Sequence, residues 1–319
     1  MNMSNHKPSI VFMGTPHFAA HILATLIDKQ YKLTAVVTVA DKAAGRGKKI
    51  KESAVKQLAI AHHIPCLQPT NLKDPEFVSQ LEQLKADIFV VVAFRMLPEV
   101  VWTMPKQGTF NLHASLLPQY RGAAPINWAL INGEQKTGVS TFFIDKKIDT
   151  GAIIDQQEVA IEKEETAGSL HDKLMEAGSV LVCKTIDAIA AGAISSKPQK
   201  TTAPLKEAPK IFKEDCKIDW SKPGSSIQNL IRGLSPYPGA WCYFHNHGDP
   251  LILKIANGFF EETIHNDKIN SLIKSKKELK VALQDGYMHL TEIQLPGKRM
   301  MKVQELLNGL SLKENAYVS

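Results

Sequence analysis

Ser9-Ile10-Val11-Phe12-Met13-Gly14-Thr15-Pro16 is the stretch that decides the fold class. It is a short apolar run broken by Gly-Thr-Pro, and Pro16 suits the first turn of a following helix. Phe18, Ile22, Leu26 and Ile27 then recur at helical spacing. Leu33–Val39 is a second β-rich run, and Ile88–Ala93 is nearly continuous. Uninterrupted β-branched runs suit the buried strands of a parallel sheet covered by helices on both faces. Glu52–His62 and Asp74–Leu84 read as the intervening helices. The expected architecture is α/β, an open, doubly wound, mostly parallel sheet.

Further along, Leu170, Leu174, Ala177 and Leu181 form one stripe, which predicts a helix over Ser169–Ala191 with Ser169 as N-cap and Gly192 at its end. Ser195–Pro209 holds three prolines among Lys, Ser and Thr and reads as a linker. Beyond it the texture changes. Trp241–Phe244, Leu251–Ile255, Leu279–Leu283 and Met288–Leu295 are short β-like runs between Gly, Asn and Asp turns, which suggests a small barrel or sandwich. The expected domains are therefore 1–194 and 210–319, joined by 195–209. At 319 residues the chain has the length of about two domains.

Composition narrows the function classes. The longest apolar runs, such as Ile88–Phe94, fall far short of the ~18–20 residues that span a bilayer. The N-terminus carries one Lys and no apolar secretory core, so no signal peptide is visible. Cys66, Cys183, Cys216 and Cys242 lie far apart without C-x-x-C spacing, which argues against a disulfide framework and fits a reducing, cytoplasmic setting. Net charge is +6, from 38 basic and 32 acidic side chains. Residues 1–199 hold 21 and 19 of these, and residues 200–319 hold 17 and 13, so the excess concentrates in the smaller part. Asp41–Lys51 gathers Lys42, Arg46, Lys48, Lys49 and Lys51 around a single acid.

Several motifs exclude chemistry. Gly14-Thr15-Pro16 offers one glycine where a dinucleotide site needs G-x-G-x-x-G, so hydride transfer with a nicotinamide cofactor is disfavoured. Ile148-Asp149-Thr150-Gly151-Ala152 looks like half of an aspartic-protease signature, but no second Asp-Thr-Gly or Asp-Ser-Gly exists to share the proton. Cys242, His245 and His247 lack a fourth zinc ligand, and no metal is expected. Trp128 reads as core.

The densest segment is Phe110–Pro125, F-N-L-H-A-S-L-L-P-Q-Y-R-G-A-A-P. If Thr109–His113 is a strand, its period of two sends Asn111 and His113 to one face and Leu112 to the other. The carboxyl end of such a strand is the usual mouth of an α/β site. Asp149 is the expected partner of His113, because a carboxylate beside an imidazole orients it and stabilises its protonated form. No G-x-S-x-G is present, and Ser115 reads as loop packing rather than a nucleophile. An amide donor, a histidine and an acid suit direct acyl transfer to an amine, with Asn111 on the oxyanion and His113 accepting the proton.

Phe110–Pro125 resembles the signature of the folate-dependent formyltransferases: Asn-x-His, Ser-Leu-Leu-Pro, then Tyr-Arg-Gly-x-x-Pro, with a downstream Asp-x-Gly matched by Asp149. Three further features resemble the branch of that family acting on charged tRNA. They are Gly14-Thr15-Pro16-x-Phe18-Ala19, the loop Asp41-x-x-Ala44-Gly45-Arg46-Gly47-Lys48-Lys49, and the C-terminal Ile218-Asp219-Trp220 and Gly297–Leu307. The likeness spans nearly the whole chain. It implies a Rossmann-like catalytic sheet followed by an OB-like β-barrel that contacts tRNA. It implies 10-formyltetrahydrofolate as donor and the α-amino group of methionyl initiator tRNA as acceptor. Asn111, His113 and Asp149 match the family's catalytic positions, and Ser115, Leu116, Leu117 and Pro118 match its folate-contact segment. Arg46 matches a loop arginine that inspects the acceptor end, and Lys48 and Lys49 can follow phosphates. A cytoplasmic monomer with no membrane partner is expected.

Two departures from the family pattern stand out. The loop reads Asp41-Lys42-Ala43-Ala44 where the family often has Asp-Arg-Pro-Ala, so it is expected to be looser. Ala93-Phe94-Arg95-Met96-Leu97-Pro98 is one residue shorter than the family's pterin-bordering segment and adds the charge of Arg95. Formyl transfer to a small amine and a catalytically silent tRNA-binding module remain open beside the main reading.

Overall fold

The computed structural model describes residues 7–44, 49–200, 204–246, 248–307 and 309–319. They form two compact units. The first runs to Gly122 and adds Thr137–Val159 and His171–Glu207; the second holds Ala123–Lys136, Ala160–Leu170 and Ala208–Ser319. Residues 195–207, which composition reads as linker, thus cluster with the first unit.

In the first unit β1 (Ser9–Gly14) is buried along its whole length. Helix α1 (His17–Asp28) starts directly after Pro16 and buries Phe18, Ile22 and Leu26, as their spacing requires. Strand β2 (Lys32–Val37) returns parallel to β1. Strands β3 (Lys42–Ala44) and β4 (Lys49–Lys51) pair antiparallel, and the residues between them, on which the expectation of a looser loop falls, lie outside the described residues. Helix α2 (Ala54–Ala61) is capped by Ser53, whose hydroxyl accepts from Lys56 N at 3.0 Å. After β5 (Cys66–Leu67), helix α3 (Pro75–Gln83) combines an Asp74 cap with proline in its first turn.

Strand β6 (Ile88–Val92) is entirely buried, and α4 (Glu99–Trp102), β7 (Thr109–His113) and β8 (Arg121–Gly122) follow. Helix α5 (Pro125–Ile131) belongs to the second unit. Strands β9 (Lys136–Phe143) and β10 (Ile153–Ala160) then complete a seven-stranded sheet in the order β10-β9-β7-β6-β1-β2-β5. Pairing is parallel from β7 through β5, and β9 runs antiparallel to β7. The chain reverses its winding between β1 and β6, which opens a crevice at their carboxyl ends, beside Gly14 and Val92. Val11, Met13, Phe89 and Val91 cover one sheet face together with Phe77 and Leu81 of α3 and Val101 of α4.

Helix α6 (Ala167–Ala190) begins earlier than its stripe suggests. Thr166 Oγ1 accepts from Ser169 N at 3.2 Å, while Ser169 Oγ accepts from Thr166 N at 3.0 Å. This reciprocal pair is a capping box with serine in the usual glutamate position, so Thr166 rather than Ser169 caps the helix.

The second unit continues from β11 (Glu207–Ala208) to α7 (Gly224–Leu234) and then becomes a β structure. Its strands are β12 (Ala240–His245), β13 (Leu251–Glu262), β14 (Leu272–Lys274), β15 (Leu279–Ala282), β16 (Gly286–Gln294) and β17 (Met301–Lys302); helix α8 (Val303–Leu307) and β18 (Tyr317–Val318) follow. They order as β14-β15-β16-β13-β12-β18, with β17 on β16. A Ser271–Tyr317 bridge brings the two ends together, so the antiparallel sheet nearly closes into a barrel. Ile227, Ile231 and Leu234 of α7 pack among Cys242, Leu253, Ile255, Met288 and Leu290 in its core. Strand β13 runs well past Ile255 because register shifts around Asn257 absorb the break in alternation. Trp128 is not core: it is half-buried, and its indole N–H donates to Pro209 O at 2.8 Å.

Candidate active site

Strand β7 carries the first two site residues. Asn111 lies beside Val91 in the parallel register, and His113 lies opposite Ser140 of β9. Leu112 points to the other face, where a Cβ on Gly178 of α6 would come within 2.7 Å of it. The period of two therefore puts an amide and an imidazole together at the carboxyl end of the strand. Asn111 is half-buried, and its Oδ1 is buried with no hydrogen-bond partner among the described residues. Thr15 Oγ1, just past the end of β1, is in the same condition. Buried polar atoms are nearly always paired, and exceptions concentrate where a ligand or reaction uses them.

His113 is 7% exposed. Its Nε2 lies 2.8 Å from Tyr120 O, and a carbonyl can only accept, so Nε2 carries the proton. The lone pair of the neutral ring is then on Nδ1, which faces Asp149 Oδ2 at 3.8 Å. That separation suits an ion pair with the protonated ring and is too long for a hydrogen bond. Tyr120 holds its carbonyl in place from a left-handed conformation at φ 60°, with its own N–H donating to Lys206 O at 2.6 Å.

Asp149 arrives on the loop between β9 and β10. Asp145 organises this loop by accepting from Lys147 N at 2.9 Å and from the Thr150 hydroxyl at 2.7 Å. Asp149 itself is left-handed at φ 54°, and its Oδ2 accepts from Gly122 N at 3.0 Å. Gly151 is required here by close approach: a Cβ would sit 1.6 Å from Phe143 O. The Asp-Thr-Gly-Ala sequence is thus a tight closure that turns one carboxylate toward the imidazole.

The Ser115–Pro118 segment is held from within. Ser115 is fully buried, and its hydroxyl donates to Gln119 O at 2.6 Å. Ser140 Oγ donates to Ser115 O at 2.6 Å and accepts from Leu117 N at 3.1 Å and Gln156 Nε2 at 2.7 Å. Leu117 is buried, whereas Leu116 and Pro118 are partly exposed. Arg46 and Lys48 lie outside the described residues, and Lys49 is placed on β4 by its backbone. His247 also lies outside them. Among the described residues no cluster of three or more His, Cys, Asp or Glu could hold a metal ion, and no helix is long and apolar enough to cross a membrane.

Two family models match the chain, formyl transferase over residues 8–186 and the formyl transferase C-terminal domain over residues 210–311. The chain belongs to the formyl transferase family. Among curated relatives, the methionyl-tRNA formyltransferase of Flavobacterium johnsoniae is 55% identical over 312 residues, covering 98% of this chain and 99% of the relative. That of Bacteroides fragilis is 50% identical over 317 residues, covering 98% of both. Among solved structures, the N-formyltransferase from Helicobacter canadensis in complex with folinic acid and dTDP-3-aminofucose superimposes with a TM-score of 0.66 at 21% identity, covering 88% of this chain and 97% of that one. It shares the fold.

In this formyl transferase the sequence does not reveal the residues that support the site. Gln199 Nε2 donates to the carbonyls of Asp149 and Gly151, each at 2.9 Å, and its Oε1 accepts from Arg121. Gln119 ties the same stretch, accepting from Lys206 N at 2.7 Å. Arg95 is a clasp as well: its guanidinium donates to Thr70 O at 2.8 Å and to Pro69 O. These are side chains bonding distant backbone, a pattern without periodicity.

Proposed function

We propose that this formyl transferase moves the formyl group of 10-formyltetrahydrofolate to the α-amino group of methionyl initiator tRNA, in one direct displacement. The observation that carries the chemistry is the approach of His113 Nδ1 to Asp149 at 3.8 Å, beside an Asn111 amide whose Oδ1 is buried with no hydrogen-bond partner among the described residues. The acceptor is supported by likeness to methionyl-tRNA formyltransferases over 98% of the chain. The unpartnered Asn111 and Thr15 oxygens at the crevice also fit a polar ligand such as a folate.

The amine nitrogen attacks the formyl carbon, the bond from that carbon to the folate nitrogen breaks, and the proton given up by the attacking nitrogen passes by way of His113 to the folate nitrogen, so that neutral tetrahydrofolate leaves. His113 takes that proton at Nδ1, since Nε2 is committed to Tyr120 O. An α-amino group titrates near pH ~8, within reach of a histidine base. Asp149 stabilises the imidazolium so formed, and the Asn111 N–H donates to the developing oxyanion. The Ser115 hydroxyl is spent on Gln119, so no covalent enzyme intermediate is needed. Ser115–Pro118 hold the folate through backbone and through the partly exposed Leu116 and Pro118.

Arg46, Lys48 and Lys49 contact the tRNA, as does the C-terminal barrel. The four cysteines are free thiols, which supports a cytoplasmic setting.

Labelled formyl transfer to charged initiator tRNA, with charged elongator methionine tRNA as control, tests the proposal. Transfer to the initiator form alone is expected, with affinity falling steeply as salt rises. Replacing Asn111 or His113 by Ala lowers kcat by roughly 10²–10³-fold while folate binding is retained. Equal loss of both would refute these roles.

A further inference from the structure

Gln199 stands outside every motif that marks the family resemblance, in a proline-rich stretch that reads as linker. Its side chain nevertheless makes four hydrogen bonds at the site. Nε2 uses both N–H groups, one on Asp149 O and one on Gly151 O, each at 2.9 Å. Oε1 accepts from Arg121 Nε at 3.2 Å and Nη2 at 2.6 Å. The bond partners of Gln199 are the two walls that fix Asp149. One is the backbone of Asp149 itself, held in the left-handed region at φ 54°, where a non-glycine residue needs outside support. The other is Arg121, whose neighbour Gly122 gives its N–H to Asp149 Oδ2 at 3.0 Å.

We propose that Gln199 is a positioning residue for the transfer reaction, setting the approach of the Asp149 carboxylate to His113 Nδ1. This rests on the role given above to Asp149. The demand on position 199 is chemical as well as steric. An amide presents two donors to two carbonyls and one acceptor to a guanidinium at once. A carboxylate of the same length keeps the acceptor for Arg121 but turns an oxygen toward the carbonyls of Asp149 and Gly151. The flanking backbone delivers the side chain firmly, because Lys197 exchanges both N–H···O bonds with Ile153, at 2.8 Å each.

The test uses the full chain with Q199E, the near-isosteric uncharged Q199M, D149N and the double variant Q199E/D149N. Labelled formyl transfer gives kcat and both KM values, and the pH profile of kcat is recorded alongside. A group misplaced by about 1 Å costs on the order of 10²-fold, so Q199E and Q199M are expected to lose roughly 10–100-fold in kcat. Folate KM changes by less than about threefold, because no folate contact is touched. The Q199E pH profile moves onto that of D149N, and the double variant is no slower than D149N alone, since Gln199 acts through that carboxylate. Full turnover in Q199E and Q199M beside an impaired D149N would overturn the inference alone, as would losses that multiply in the double variant. Full turnover in D149N would overturn the role of Asp149 and the inference with it.

Discussion

Replacing Ser140 by Ala tests how the Ser115–Pro118 segment is held. The hydroxyl is buried at the centre of three hydrogen bonds: it donates to Ser115 O and accepts from Leu117 N and Gln156 Nε2. Gln156 keeps a second bond, to Leu117 O at 3.0 Å. The change therefore strands two buried backbone groups, the Ser115 carbonyl and the Leu117 amide. A buried polar group left unpaired costs about 1–3 kcal/mol, so the pair amounts to roughly 2–6 kcal/mol. For a unit of this size that corresponds to a fall of roughly 4–24 °C in unfolding midpoint. Thermal and urea unfolding of the purified chain measure it, with the folate KM taken from the same preparation. Destabilisation below about 1 kcal/mol, with an unchanged folate KM, would show that Ser140 does not hold the Ser115–Pro118 segment.

Gly151→Ala forces a Cβ into Phe143 O, so the Asp149 loop must shift; single-turnover transfer is expected to fall by about 10²-fold, and a loss under twofold would contradict the tight closure. Burial pushes the Cys242 thiol up to about 12 and raises Cys66, Cys183 and Cys216 as well, but Cys66 is partly exposed where the other three are buried. Alkylation of the native chain followed by mass spectrometry should label Cys66 first and Cys242 only on unfolding. Burial, then the bond to Asp187, raises the Tyr31 phenol, and its hydrogen bond to Asp267 pushes Tyr287 up to about 12. The unfolded chain ionises these phenols near pH ~10 while the folded chain keeps them neutral, so their stabilisation is complete below that pH and is lost as pH rises above it. Urea midpoints measured from pH 8 upward should fall above about pH 10, and less steeply in a Tyr31→Phe variant.

Asn111 and His113 were legible because β7 obeys strict alternation and its neighbours are continuous apolar runs. The parallel sheet was legible for the same reason. Strands β9 and β10 were harder to see, because Thr137, Ser140 and Thr141 are buried polar residues that blur the apolar pattern of β9. Thr166 was hidden as a cap because its partner is serine rather than glutamate. That Asp149 meets His113 follows from a left-handed turn and a glycine packed on a carbonyl, neither of which leaves a period in the sequence. Gln199 is the extreme case, since it bonds backbone fifty positions away from within a segment whose composition signals nothing.

The backbone at Lys206 has a practical consequence for anyone seeking the smallest working piece of this protein. Lys206 O takes the N–H of Tyr120, whose carbonyl in turn anchors the imidazole, so two bonds separate that lysine from His113. A fragment ended at residue 194 keeps all seven strands of the large sheet yet forfeits this anchorage. Trimming by composition would cut away the support of the histidine, and the shortest fragment worth assaying on a simple amine ends no earlier than Glu207.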